Sequence, residues 1–78
     1  MTSDLIDRAK HLLGQGRASE ATRLLQSALP SDIPAIHTLL GYALYQDNQL
    51  PAARQVLQSA LQRFPSDATL HEAAARMR

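Results

Sequence analysis

Leu25-Gln26-Ser27-Ala28-Leu29 recurs 32 residues later as Leu57-Gln58-Ser59-Ala60-Leu61. At the same offset Ala21 falls on Ala53 and Leu12 on Leu44. Pro30-Ser31-Asp32 returns as Pro65-Ser66-Asp67, and His37 returns as His71 at an offset of 34. A chain that repeats itself every 32–34 residues is built by stacking one supersecondary unit on the next. Composition says which kind of unit. Of 78 residues 13 are Ala and 13 Leu, against three Ile, one Val and one Phe. Straight-chain and small residues lose little freedom in a helix, whereas strands favour β-branched and aromatic ones, so the unit is helical.

Apolar residues at 3.6-residue spacing predict five helices. The first carries Leu5, Ile6, Ala9, Leu12 and Leu13, with Ser3 or Asp4 as its cap and Gly14-Gln15-Gly16 as its stop. The second carries Ala18, Ala21, Leu24, Leu25, Ala28 and Leu29 and ends at Pro30. The third, capped by Ser31 or Asp32, repeats the stripe with Ile36, Leu39, Leu40, Ala43 and Leu44. The fourth has Pro51 in its first turn, where a missing N–H costs nothing, and carries Ala53, Val56, Leu57, Ala60, Leu61 and Phe64. Ser66 or Asp67 caps a short fifth helix with Leu70, Ala73, Ala74 and Met77. Connections of about three to five residues make consecutive helices antiparallel hairpins.

His37-x-x-Leu40-Gly41-x-x-Leu44, followed by Ala53-x-x-x-Leu57-x-x-Ala60 and Pro65, resembles a tetratricopeptide repeat. The physical roles agree. Gly41 and Ala53 are small where the two helices of a hairpin cross, Ala60 is small where the second helix meets the next repeat, and Pro65 sets the turn. The resemblance implies an all-α fold of stacked antiparallel hairpins forming a short right-handed superhelix of five helices. It divides the chain, read as a single domain over 1–78, into a repeat at about 2–33, a repeat at about 34–67 and a capping half-repeat at 68–78. In the first repeat Arg8 takes the place of Leu40, which leaves Arg8 partly exposed.

Chemistry finds little to work with. Cysteine is absent, which removes disulfides, thiolate catalysis and cysteine zinc sites together. The seven acids, among them Asp4, Asp32, Asp47 and Asp67, fall mostly at helix starts or in linkers, where they meet N–H groups and the helix dipole. His37 and His71 hold one slot in successive repeats, roughly 10 Å apart given helix spacings of 8–10 Å, too far to share an ion; both are expected to be partly buried packing residues, and His11 to face solvent. No nucleophile motif or phosphate-binding loop is present, so neither enzymatic activity nor a cofactor or metal is expected. Eight Lys and Arg against seven Asp and Glu give a net charge of +1, which recruits neither nucleic acid nor an anionic membrane. No apolar run approaches the roughly 20 residues of a spanning helix. The start, Met1-Thr2-Ser3-Asp4-Leu5, lacks the basic and apolar regions of a signal peptide, and a cytoplasmic setting is expected.

The resemblance points to recognition instead. The concave wall of such an array is made mainly by the first helix of each pair. On this sequence it draws Ile6, Lys10 and Leu13 from the first helix, Thr38, Tyr42 and Tyr45 from the third, and Glu72 and Arg76 from the fifth. Tyr42 and Tyr45 stand three residues apart and so share a face, and tyrosine offers an apolar body with a polar tip. Family members that clamp a chaperone's C-terminal carboxylate use a Lys/Asn/Asn/Lys/Arg set; Ile6, Leu39 and Ala73 break it. The expected function is therefore binding of a peptide or amphipathic helix of another protein, as a small adaptor or assembly chaperone. The other expectation is a self-associating scaffold: two and a half repeats fall short of the usual ~3, and a chain this short hides only about 60% of its unfolded surface.

Overall fold

Five helices follow one another in the computed structural model, which describes residues 2–77: α1 (Thr2–Gly14), α2 (Ala18–Ser27), α3 (Pro34–Gln46), α4 (Leu50–Arg63) and α5 (Ala68–Arg76). No strand occurs among the described residues. Arg78, the last residue of the expected capping half-repeat, lies outside them.

The two hairpin turns repeat as faithfully as the helices do. Gly16 has φ 78° and Asn48, 32 residues on, has φ 62°, the left-handed region open to glycine and tolerated by asparagine. Each lets the next residue's N–H reach back over the helix end, Arg17 to the Leu12 carbonyl and Gln49 to the Leu44 carbonyl, both at 2.9 Å. This is the Schellman closure, which satisfies carbonyls that the helix itself leaves open.

Helix starts depart from the expected caps in two of three cases. Asp67 caps α5 as expected, its carboxylate accepting the Leu70 N–H at 2.9 Å. Helix α1 already includes Ser3 and Asp4, so neither is its cap. Helix α3 starts at Pro34 with Ile33 as an extended N-cap, beyond Ser31 and Asp32. The proline sets the first helical φ and forces the residue before it out of the helical region. Ser31 instead accepts the Ile33 N–H at 3.1 Å, a turn ahead of the helix. Helix α2 stops at Ser27 rather than running to Leu29, because Pro30 disfavours helical backbone in the residue before it. The α2–α3 connection is consequently six residues, 28–33, longer than expected.

Helix α3 is apolar on nearly every side and sits in the middle, touching α1, α2, α4 and α5. The first helices stack on one another, α1 on α3 and α3 on α5, whereas α2 and α4 make no Cα–Cα approach within 8 Å. Cα extents of 28 × 27 × 17 Å describe a slab two helices thick, since each Cα cylinder has a radius of about 2.3 Å and packed axes lie 8–10 Å apart. A bundle around one axis does not have this pattern of neighbours. Leu25, Leu40, Leu57 and Leu70, one from each of α2 to α5, are fully buried, and each contributes about 1.5–3 kcal/mol through its burial. Small residues let α3 and α4 approach closely: Ala53 is completely buried, and a Cβ on Gly41 would stand 2.8 Å from Leu57 Cγ and Cδ2.

Candidate functional site

Six residues are expected to pack the repeats. Leu40, Gly41, Ala53, Leu57 and Ala60 are buried, and Pro65 is exposed in the turn before α5. Around them every buried side-chain polar atom among the described residues has a partner. Thr22 and Thr38, the buried polar residues, spend their hydroxyls on the Ala18 and Pro34 carbonyls at 2.9 and 3.1 Å.

The two repeat histidines act as linker latches. His37 Nε2 donates to the Ser31 carbonyl at 2.9 Å, and His71 Nε2 donates to the Pro65 carbonyl at 2.6 Å. The donor and acceptor are six residues apart both times, so the second latch repeats the first at the offset of 34. Each ring is thus tied to its own linker. His37 is half-buried under Phe64, with ring centroids 5.7 Å apart. His71 is exposed, which corrects the expectation of a packed ring; no described residue supplies a Phe64 for it. His11 is exposed as expected, its Nε2 accepting from the Gln15 amide at 3.0 Å. The first latch is reinforced from α4. Arg63 also donates to the Ser31 carbonyl, at 3.1 Å, pairs with Asp32, and lies over the Phe64 ring at 5.3 Å. Nothing in the sequence pattern marked that cluster, because its members are 31 and 32 residues apart and their partner is a backbone oxygen.

Along the α1, α3 and α5 side, Ile6 and Leu13 are half-buried against the core and Lys10 is exposed. Tyr42 is half-buried and Tyr45 projects with 48% of its surface exposed. Thr38, expected to line this wall, is only 5% exposed and its hydroxyl is already bonded, so it offers a ligand little. Glu72 and Arg76 are both exposed but pair with each other at 2.7 Å. Arg8 is exposed, as its place on α1 implied. Among the described residues no group of three or more His, Asp or Glu side chains stands close enough together to hold a metal ion. No helix among them is long and apolar enough to cross a membrane.

Antiparallel hairpins stacked so that first helices meet and second helices splay define a helical-repeat protein, a class that acts through an extended surface. The sequence matches the profile of the tetratricopeptide repeat family over residues 6–68, and the chain belongs to that family. Its members are generally protein–protein interaction modules and are typically non-enzymatic scaffolds. Comparisons with curated proteins and with solved structures each returned no match.

Proposed function

We propose that the wall formed by α1, α3 and α5 docks a peptide or amphipathic helix of another protein, making the chain a small adaptor or assembly chaperone. On this reading residues 2–33 and 34–67 are the two repeats that hold the wall and 68–78 its cap. The observation that carries the proposal is the outward projection of Tyr45 beside half-buried Tyr42, on the side where the first helices pack against one another. Aromatic side chains with a polar tip are enriched in such interfaces. Ile6 and Leu13 add apolar surface, and Lys10 adds a cation with no ion pair among the described residues.

Self-association through a terminal face has less support. At the offset of 34, Ala74 replaces Leu40, so α5 offers a further helix a smaller apolar contact there than α3 offers α4. The last turn also closes the core from within: Met77 is 2% exposed and Arg54 Nε donates to its carbonyl at 3.0 Å.

Affinity capture with the native chain and single variants tests the wall. Tyr42→Arg and Tyr45→Arg are expected to lose a discrete set of retained proteins that Gln62→Arg, on the exposed side of α4, keeps. Equal retention by all three, with unchanged melting, contradicts the proposal.

A further inference from the structure

Where α5 lies against α4, the surface opens into a hollow of about 440 Å³ lined by Arg54, Leu57, Gln58, Ala74 and Met77. The internal repeat shows what is missing there. At the offsets of 32 and 34 these residues correspond to Thr22, Leu25, Gln26, Leu40 and Ala43. All of those but Gln26 are buried, Leu40 to 2% exposure. Leu40 carries an isobutyl group; Ala74 carries a methyl in the same place and stays half-exposed. The hollow is the room of a leucine side chain that the second repeat has and the half-repeat lacks, and its deepest walls, Leu57 and Met77, are apolar.

One charge stands at its edge. Arg54 reaches from α4 to the end of α5, where its Nε donates to the Met77 carbonyl at 3.0 Å. That bond fixes the guanidinium beside the opening. Its terminal amino groups have neither a hydrogen-bond partner nor a carboxylate among the described residues, and no acidic residue lines the hollow. On α5 Glu72 is taken by Arg76. Both lie two residues from Ala74, about 200° round the helix at 3.6 residues per turn. The hollow is therefore apolar within, positive at its rim, and turned away from the wall of α1, α3 and α5.

We infer that this hollow seats one large apolar side chain of another protein, whose neighbouring acidic residue pairs with Arg54. An aliphatic or aromatic group leaves water there against Leu57, Ala74 and Met77. A carboxylate beside it makes charge-assisted hydrogen bonds to both terminal amino groups of an arginine already oriented through its third nitrogen. A second copy of the chain does not supply this pair. Among the described residues its large exposed apolar side chains are Leu29 and Tyr45. The acids nearest them in sequence are occupied, Asp32 by Arg63 and Asp47 by Ser19 and Gln49.

The test is an NMR titration of the chain, labelled with ¹⁵N and with ¹³C in its methionine methyls, with blocked tetrapeptides at millimolar concentration. Serine–phenylalanine–glutamate–serine is expected to shift the Met77 methyl, the Gln58 side-chain amide and the backbone of residues 73–77. Exchanging its phenylalanine for alanine is expected to abolish the shifts, and exchanging its glutamate for glutamine to weaken binding about two- to fivefold. Arg54→Gln erases that last difference, so the glutamate and glutamine peptides bind it alike. Ala74→Leu, which restores the residue found at the repeat offset, is expected to abolish binding without lowering the melting temperature. No shift with the phenylalanine–glutamate peptide, undiminished binding by Ala74→Leu, or a preference for glutamate that survives in Arg54→Gln would each overturn the inference. So would equal binding by free phenylpropionate, which makes the ligand a small apolar acid, or shifts of the same residues on concentrating the chain alone, which make it a second copy.

Discussion

Gly41→Ala is the most revealing single change, because two effects of opposite sign meet in it. In an unhindered helix interior, alanine is favoured over glycine by about 1 kcal/mol. Here the added Cβ would lie 2.8 Å from Leu57 Cγ and Cδ2 and 3.2 Å from Cδ1. Cγ is the branch point, so rotating the terminal methyls gives no relief, and Leu57 is only 1% exposed. The whole side chain must move against a packed core, at a cost of about 1–3 kcal/mol. The net expectation is a loss of about 0–2 kcal/mol, and a double-mutant cycle sharpens it. Leu57→Ala alone costs about 2–5 kcal/mol, but in that background the atoms nearest the added Cβ, Leu57 Cγ, Cδ1 and Cδ2, are gone and Gly41→Ala stabilises by up to about 1 kcal/mol. The coupling is therefore about 1–3 kcal/mol. The assay is urea unfolding followed by helical circular dichroism. A chain of this length has roughly 4–12 kcal/mol in total, so all four proteins are measured in one fixed sulfate concentration, which raises their stability together. Additivity within about 0.5 kcal/mol, with Gly41→Ala stabilising both backgrounds alike, would refute the close crossing of α3 and α4.

Other substitutions probe the latches, caps and turns. His37→Ala loses a hydrogen bond and an aromatic contact and is expected to cost about 1–2 kcal/mol, whereas His71→Ala, exposed and without a ring partner, costs less than about 1 kcal/mol; equal losses in thermal melts contradict the reading. Asp67→Ala removes the cap of α5 at about 1 kcal/mol, and amide exchange is expected to quicken in α5 before the other helices. Gly16→Ala puts a side chain at φ 78° and is expected to lower the melting temperature through a strain of about 1–2 kcal/mol; no change would mean the turn is free to rearrange.

The repeat offset made the architecture legible, because Ala53, Leu57 and Ala60 carry packing information that survives a shift of one unit. The turns were half-legible: Gly14-Gln15-Gly16 announced a stop, while Asn48 repeats the geometry of Gly16 with a different residue and hid among polar neighbours. Asp67 reads as a cap because no proline follows it; Ser31 and Asp32 look the same in sequence but stand just before Ile33 and Pro34, which move the helix start. The wall was legible only as a face. Periodicity placed Tyr42 and Tyr45 together, but Thr38 falls on that side and is buried all the same, since α3 is packed by four neighbours rather than two. The Arg63–Asp32–Ser31 cluster joins the end of α4 to the α2–α3 linker across 31 and 32 residues, which no local pattern encodes.

The docking wall itself is tested most directly by placing a photo-crosslinking phenylalanine analogue at Tyr45, and separately at Gln62 on α4, in the chain inside its native cell. Irradiation is expected to join a distinct protein to the Tyr45-substituted chain and none to the Gln62-substituted one. A crosslink that forms at Gln62 and not at Tyr45 would contradict it.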